Sequence, residues 1–132
     1  MALIVQKYGG SSVADAGAIR NVARRIADSR AAGNRTVAVV SAMSDTTDEL
    51  IALAGQISDS PDPREMDVLL STGELVSCTL LAMAIRSMGT DAISLSGAQA
   101  GIKTDTDHGR ARIAMVDPSR IIEELDRGKV VI

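Results

Sequence analysis

Val5-Gln6-Lys7-Tyr8-Gly9-Gly10-Ser11-Ser12 stands directly behind the first apolar run of the chain. Residues 2–5 read as a strand, and the glycine pair reads as a sharp exit from it into a helix. Adjacent glycines bend freely and let backbone N–H groups approach a ligand with no side chain in between. Lys7 adds a compact positive charge at the strand's end, and Ser11 and Ser12 add hydroxyls. Two readings stand: an ordinary turn after a strand, or a phosphate cradle. The stretch is not a P-loop, because G-x-x-x-x-G-K-[ST] occurs nowhere in the chain.

Beyond this turn, Asp15 can cap a helix whose Ile19, Val22, Ala23, Ile26 and Ala27 fall on one face, ended by Gly33-Asn34. Residues 36–40 form a continuous apolar run, as in a strand of a parallel sheet covered on both faces. Asp45-Thr46-Thr47-Asp48 opens a helix with the acidic residues that the macrodipole favours. Asp62-Pro63 opens another, with Pro at the first helical position, which should run to about Met88 with a break or kink near Ser71-Thr72-Gly73. Residues 92–95 read as a third strand, and two short extended pieces around 104–110 predict an edge hairpin. Asp117-Pro118 starts a last helix, closed by Gly128, and 129–132 form a fourth strand. This order predicts an α/β fold with a mainly parallel sheet and helices on both faces. Because the last strand should be followed by a ligand loop, the expectation is a domain incomplete at its C-terminus.

Composition narrows the function. With 132 residues the chain suits one domain with a real core. It is 45% apolar without Phe or Trp, and Tyr8 is the only aromatic, so the core must be aliphatic. A net charge of −3 and the lack of aromatic platforms argue against a nucleic-acid partner. Cys78 is the single cysteine, in an apolar helical run where a buried structural thiol is expected. His108 is the single histidine, and no protein-bound metal is expected around it. No charged n-region precedes an apolar h-region, and no segment reads as a membrane span, so a soluble cytoplasmic domain is expected.

Chemistry collects at three small polar loops, 7–12, 41–47 and 96–101, which parallel strands would place along one sheet edge. Glu74 shares a mostly apolar helical stripe with Leu70, Ser71, Ser77, Cys78 and Leu81, where a carboxylate needs a partner if buried. Arg64, Arg86, a backbone cap or a ligand cation would serve. Thr47 is open in the same way, as a hydroxyl cap or a ligand contact.

Lys7-Tyr8-Gly9-Gly10-Ser11-Ser12, Ser41-Ala42-Met43 with Thr46-Thr47-Asp48-Glu49-Leu50, Leu70-Ser71-Thr72-Gly73-Glu74, and Ser96-Gly97-Ala98-Gln99-Ala100-Gly101-Ile102 together resemble the aspartate kinases of the amino acid kinase family. The resemblance implies that residues 1–132 are the N-terminal, aspartate-binding portion of a kinase domain. It implies transfer of the γ-phosphoryl group of ATP, with Mg²⁺, to the β-carboxylate of L-aspartate, first step toward lysine, threonine and methionine. It makes Lys7 the catalytic charge, with Gly9, Gly10 and Ser11 on the nucleotide phosphates. Ser41, Thr47 and Glu74 would bind aspartate, Glu74 through its ammonium. The family's adenosine-binding half and ACT domains would follow the last strand, and a homo-oligomer or an assembly with those regions is implied. A non-catalytic small-molecule-binding module, or another member of the family, is the alternative.

Overall fold

Asp15 starts the first helix as expected, its carboxylate accepting the Ala18 N–H at 2.8 Å. The computed structural model describes residues 1–132. In chain order it contains β1 (Leu3–Tyr8), a 3-10 turn (Gly10–Val13), α1 (Ala16–Ala31), β2 (Arg35–Val40), α2 (Thr46–Ile57), α3 (Pro63–Ser87), β3 (Ala92–Ile93), β4 (Ile102–Thr104), β5 (Ile113–Val116), α4 (Ser119–Asp126) and β6 (Val130–Val131). Four strands make a parallel sheet in the order β1-β2-β6-β3, and β4 and β5 pair antiparallel as the separate hairpin.

The last strand is not an edge. β6 lies between β2 and β3, while β1 and β3 hold the edges. Linear order cannot show this, because a crossover connection inserts a later strand between earlier ones. β1 also runs through Lys7 to Tyr8 instead of ending at Val5, in unbroken register with β2 from Leu3↔Arg35 to Tyr8↔Val40. A polar residue is tolerated there because Leu3, Val5 and Lys7 point to the open face. β3 is shorter than predicted, although the Leu95 N–H still reaches the Ile132 carbonyl at 2.8 Å.

The core lies between one face of the sheet and the pair α1 and α3. Ile19, Val22, Ala23 and Ile26 of α1 meet Cys78, Leu81, Ala82 and Ile85 of α3 over Ala38, Ala92 and Val130. Burying each large aliphatic side chain contributes about 1.5–3 kcal/mol, so Ile26, Leu81 and Ile85, all fully buried, anchor the domain. α3 is uninterrupted, contrary to the predicted break. The Ser71 and Thr72 hydroxyls donate back to the Val68 and Leu69 carbonyls, and Gly73 serves close packing instead of a bend. By length and composition α3 would suffice to cross a membrane, which the sequence reading did not anticipate. Its buried stripe from Gly73 to Ile85 makes it a core helix here.

α4 covers the other face, where Arg35 pairs with Asp126 at 2.7 Å. Its Glu124 is 1% exposed and accepts from Lys129 at 2.7 Å, from Arg120 at 2.8 Å and from Arg127 at 3.4 Å, tying the helix to the start of β6. The Lys129 hydrogen bond, working against desolvation, holds its carboxyl below the ordinary 4.5. A carboxylate depressed on folding stabilises above its unfolded value and loses that contribution as pH falls through the folded one. Wild type should therefore lose stability below pH 4.5 more steeply than Glu124→Gln. Urea unfolding across this range checks it, and parallel curves would remove Glu124 from the acid response.

Candidate active site

The three strand ends do share the carboxyl edge, but they do not form one pocket. β1 and β2 are neighbours, so loops 7–12 and 41–47 touch: Ser44 N–H donates to the Gly10 carbonyl at 3.2 Å. Loop 96–101 follows β3, on the far side of β6. It is folded on itself, with Ser96 N–H donating to Gln99 Oε1 at 3.0 Å and Gln99 N–H to Ser96 Oγ at 3.2 Å. Gly101 closes it at φ +83, where a Cβ would lie 1.8 Å from the Asp117 carbonyl oxygen, so only glycine fits.

The two glycines of the opening turn have different reasons to be there. A Cβ on Gly10 would sit 2.9 Å from the Ala42 carbonyl oxygen, so Gly10 is needed for packing whatever binds. A Cβ on Gly9 would meet nothing within 4 Å. Gly9 therefore faces open space just before the 3-10 turn, whose first N–H groups have no intrahelical acceptor. Ser11 is exposed within that turn.

Lys7 is exposed and belongs to none of the ion pairs. Its register partner on β2 is Val39, so its side chain leaves the sheet on the Val39 face. Val39 lines a cavity of about 410 Å³ that also takes in Glu74, Cys78, Leu95, Ser96 and Ile132. Glu74 is exposed there, not buried among apolar neighbours as its helical stripe suggested. Neither proposed arginine reaches it: Arg64 pairs with Glu65 and Arg86 with Asp91. The cavity walls are mostly aliphatic, and Lys7, Ser41 and Thr47 are outside them. Thr47 is half-buried in the first turn of α2.

Ser41 is held on both sides, its N–H on the Tyr8 carbonyl at 3.1 Å and its carbonyl on the Ser77 hydroxyl at 2.7 Å. Sequence spacing places Ser77 only in a mostly apolar stripe, and nothing in it marks a contact to a residue 36 positions away. Cys78 is buried as expected. Burial pushes its thiol up from 9.0, which suits a packed side chain and not a nucleophile.

Residues 2–132 match the family model described as the amino acid kinase family. The chain belongs to that family. Among curated family members it is 57% identical to an aspartokinase of Mycolicibacterium smegmatis, across 100% of this chain and 31% of the relative. It is 51% identical to aspartokinase 2 of Bacillus subtilis, across 100% of this chain and 32% of that one. The chain thus spans about a third of the length of these amino acid kinases. An aspartate kinase structure from Synechocystis superposes with a TM-score of 0.84 at 49% identity, covering 98% of this chain and 21% of that one. The likeness to E. coli aspartokinase III, solved with aspartate and ADP, has a TM-score of 0.81 at 21% identity and concerns the fold.

Proposed function

We propose that these residues are the aspartate-binding, N-terminal portion of an aspartate kinase catalytic domain. The observation that carries this reading is the match to aspartokinases over every residue of the chain. The site geometry agrees with it: an unpaired lysine, an open glycine turn and an unpartnered glutamate stand along the carboxyl edge of a parallel sheet.

The β-carboxylate of L-aspartate is ionised at neutral pH and attacks the γ-phosphorus of ATP without a general base. A carboxylate oxygen–phosphorus bond forms as the bond to the bridging oxygen of ADP breaks, giving ADP and aspartyl phosphate. The remaining work is positioning and charge neutralisation. Lys7 neutralises the transferred phosphoryl group, and the backbone at Gly9, Gly10 and Ser11 approaches the phosphates. Glu74 binds the aspartate ammonium, Thr47 its carboxylate, and Ser41 lies between aspartate and the phosphates. No group of three or more His, Cys, Asp or Glu side chains is arranged to hold a metal ion. Mg²⁺ would enter with ATP, bound through the nucleotide phosphates, whose charge it offsets. Adenosine recognition, oligomer assembly and control by pathway products belong to the remaining length of such kinases. The setting is the cytoplasmic route to lysine, threonine and methionine.

The test is trapping of aspartyl phosphate as its hydroxamate from Mg-ATP and L-aspartate. The full-length protein should form it and residues 1–132 alone should not. Formation by residues 1–132 alone would mean that they complete a nucleotide site, and none with either would overturn the assignment.

A further inference from the structure

We infer that Ser77 is a positioning residue for the acceptor site: its hydroxyl clamps the Ser41 peptide onto the turn of α3 that carries Glu74. The inference rests on the aspartate kinase reading for its kinetic consequence and on geometry for the clamp itself.

Ser77 is fully buried, and its Oγ lies 2.7 Å from the Ser41 carbonyl and 3.1 Å from the Glu74 carbonyl of its own helix. A hydroxyl carries one proton. Donation to Glu74 would only duplicate the local back-bond that any helical serine can make, whereas donation to Ser41 joins two segments. The shorter distance is the one between segments. One turn earlier on the same face, Gly73 brings α3 so close that a Cβ would sit 2.9 Å from the Ala42 Cβ. Gly10 also approaches Ala42, with its own Cβ position 2.9 Å from the Ala42 carbonyl oxygen. Ala42 is therefore approached closely by both glycines, and the Ser41 carbonyl just before it is hydrogen-bonded by Ser77. Glu74 sits between Gly73 and Ser77 on α3. Fixing Ser41 thus fixes its distance to Glu74, and both belong to the acceptor half of the site.

Ser77→Ala removes one oxygen and leaves the Ser41 carbonyl without its donor. Ser77→Cys keeps a side chain of similar size with a weaker donor. In the full-length protein, Ser77→Ala should raise the KM for aspartate roughly tenfold, the equivalent of one lost hydrogen bond. The KM for ATP should stay within about twofold, since the clamp does not hold the glycine turn's open side. Ser77→Cys should fall between wild type and Ser77→Ala, and it carries the test if Ser77→Ala does not fold. A purely structural role would lower the active fraction and leave both KM values alone, so unchanged KM for aspartate in a folded variant overturns the inference. Amide hydrogen exchange supplies a readout free of activity: residues 41–44 should exchange faster in the variant than in wild type. Unchanged exchange there overturns the clamp. Faster exchange in the variant, together with a wild-type protein that phosphorylates no aspartate, would retain the clamp and reject the kinase reading.

Discussion

On the proposed function, Lys7→Ala in the full-length protein is expected to lower kcat by roughly 10²–10³-fold, the usual loss when a donor aimed at developing charge is removed. The size follows from what the site offers. Lys7 stands at the carboxyl end of β1, just before the glycine turn, and belongs to none of the ion pairs of the chain. Its six-rung strand pairing with β2 fixes its backbone, so the ammonium is presented from a rigid element. Because the side chain is exposed, folding should be little affected, with stability within about 0.5 kcal/mol of wild type. The combination separates chemistry from structure: a large loss of turnover with an unchanged unfolding curve. Turnover near wild type would take Lys7 out of transition-state stabilisation and leave the glycine turn as packing. Gly10 already has a packing explanation, which makes the lysine the more decisive residue of the two.

How much of this was legible in the chain depends on the range of the interaction. α1 could be read residue by residue, because a 3.6-residue apolar period and an aspartate cap are local signals. The parallel arrangement followed from alternating strands and helices. The place of β6 between β2 and β3 did not, since it depends on a crossover that no local pattern encodes. Gly73 misled because a glycine in a helix has two meanings, weak helix or close neighbour, and only the Ala42 contact separates them. Glu74 misled for a related reason: a helical wheel assumes the whole stripe is covered, whereas here Glu74 is exposed and lines an open cavity. The buried carboxylate of the chain is instead Glu124, whose cations come from α4 itself and from Lys129 beside it. Ser77 and Ser41 meet across 36 residues, and such a bond leaves no trace in spacing.

Glu74→Ala is expected to raise the KM for aspartate by roughly 30–100-fold, as befits the loss of a charge-assisted hydrogen bond. Glu74 belongs to none of the ion pairs, and this is what gives the substitution its force. Arg64 and Arg86, the residues that would make it a structural carboxylate, are engaged with Glu65 and Asp91. A structural partner would have made Glu74→Ala a stability mutation; without one, the fold should tolerate it and the loss should appear in binding. The ammonium of aspartate takes no part in bond making, so its contact is equally strong in ground and transition states, and kcat should fall much less than kcat/KM. The KM for ATP should hardly move. Aspartate analogues lacking the amino group provide the sharper measurement, because Glu74→Ala should abolish the wild-type preference for the aminated acceptor. Equal effects on aspartate and ATP, or a preference that survives the substitution, would assign the ammonium to another group and return Glu74 to the surface of α3.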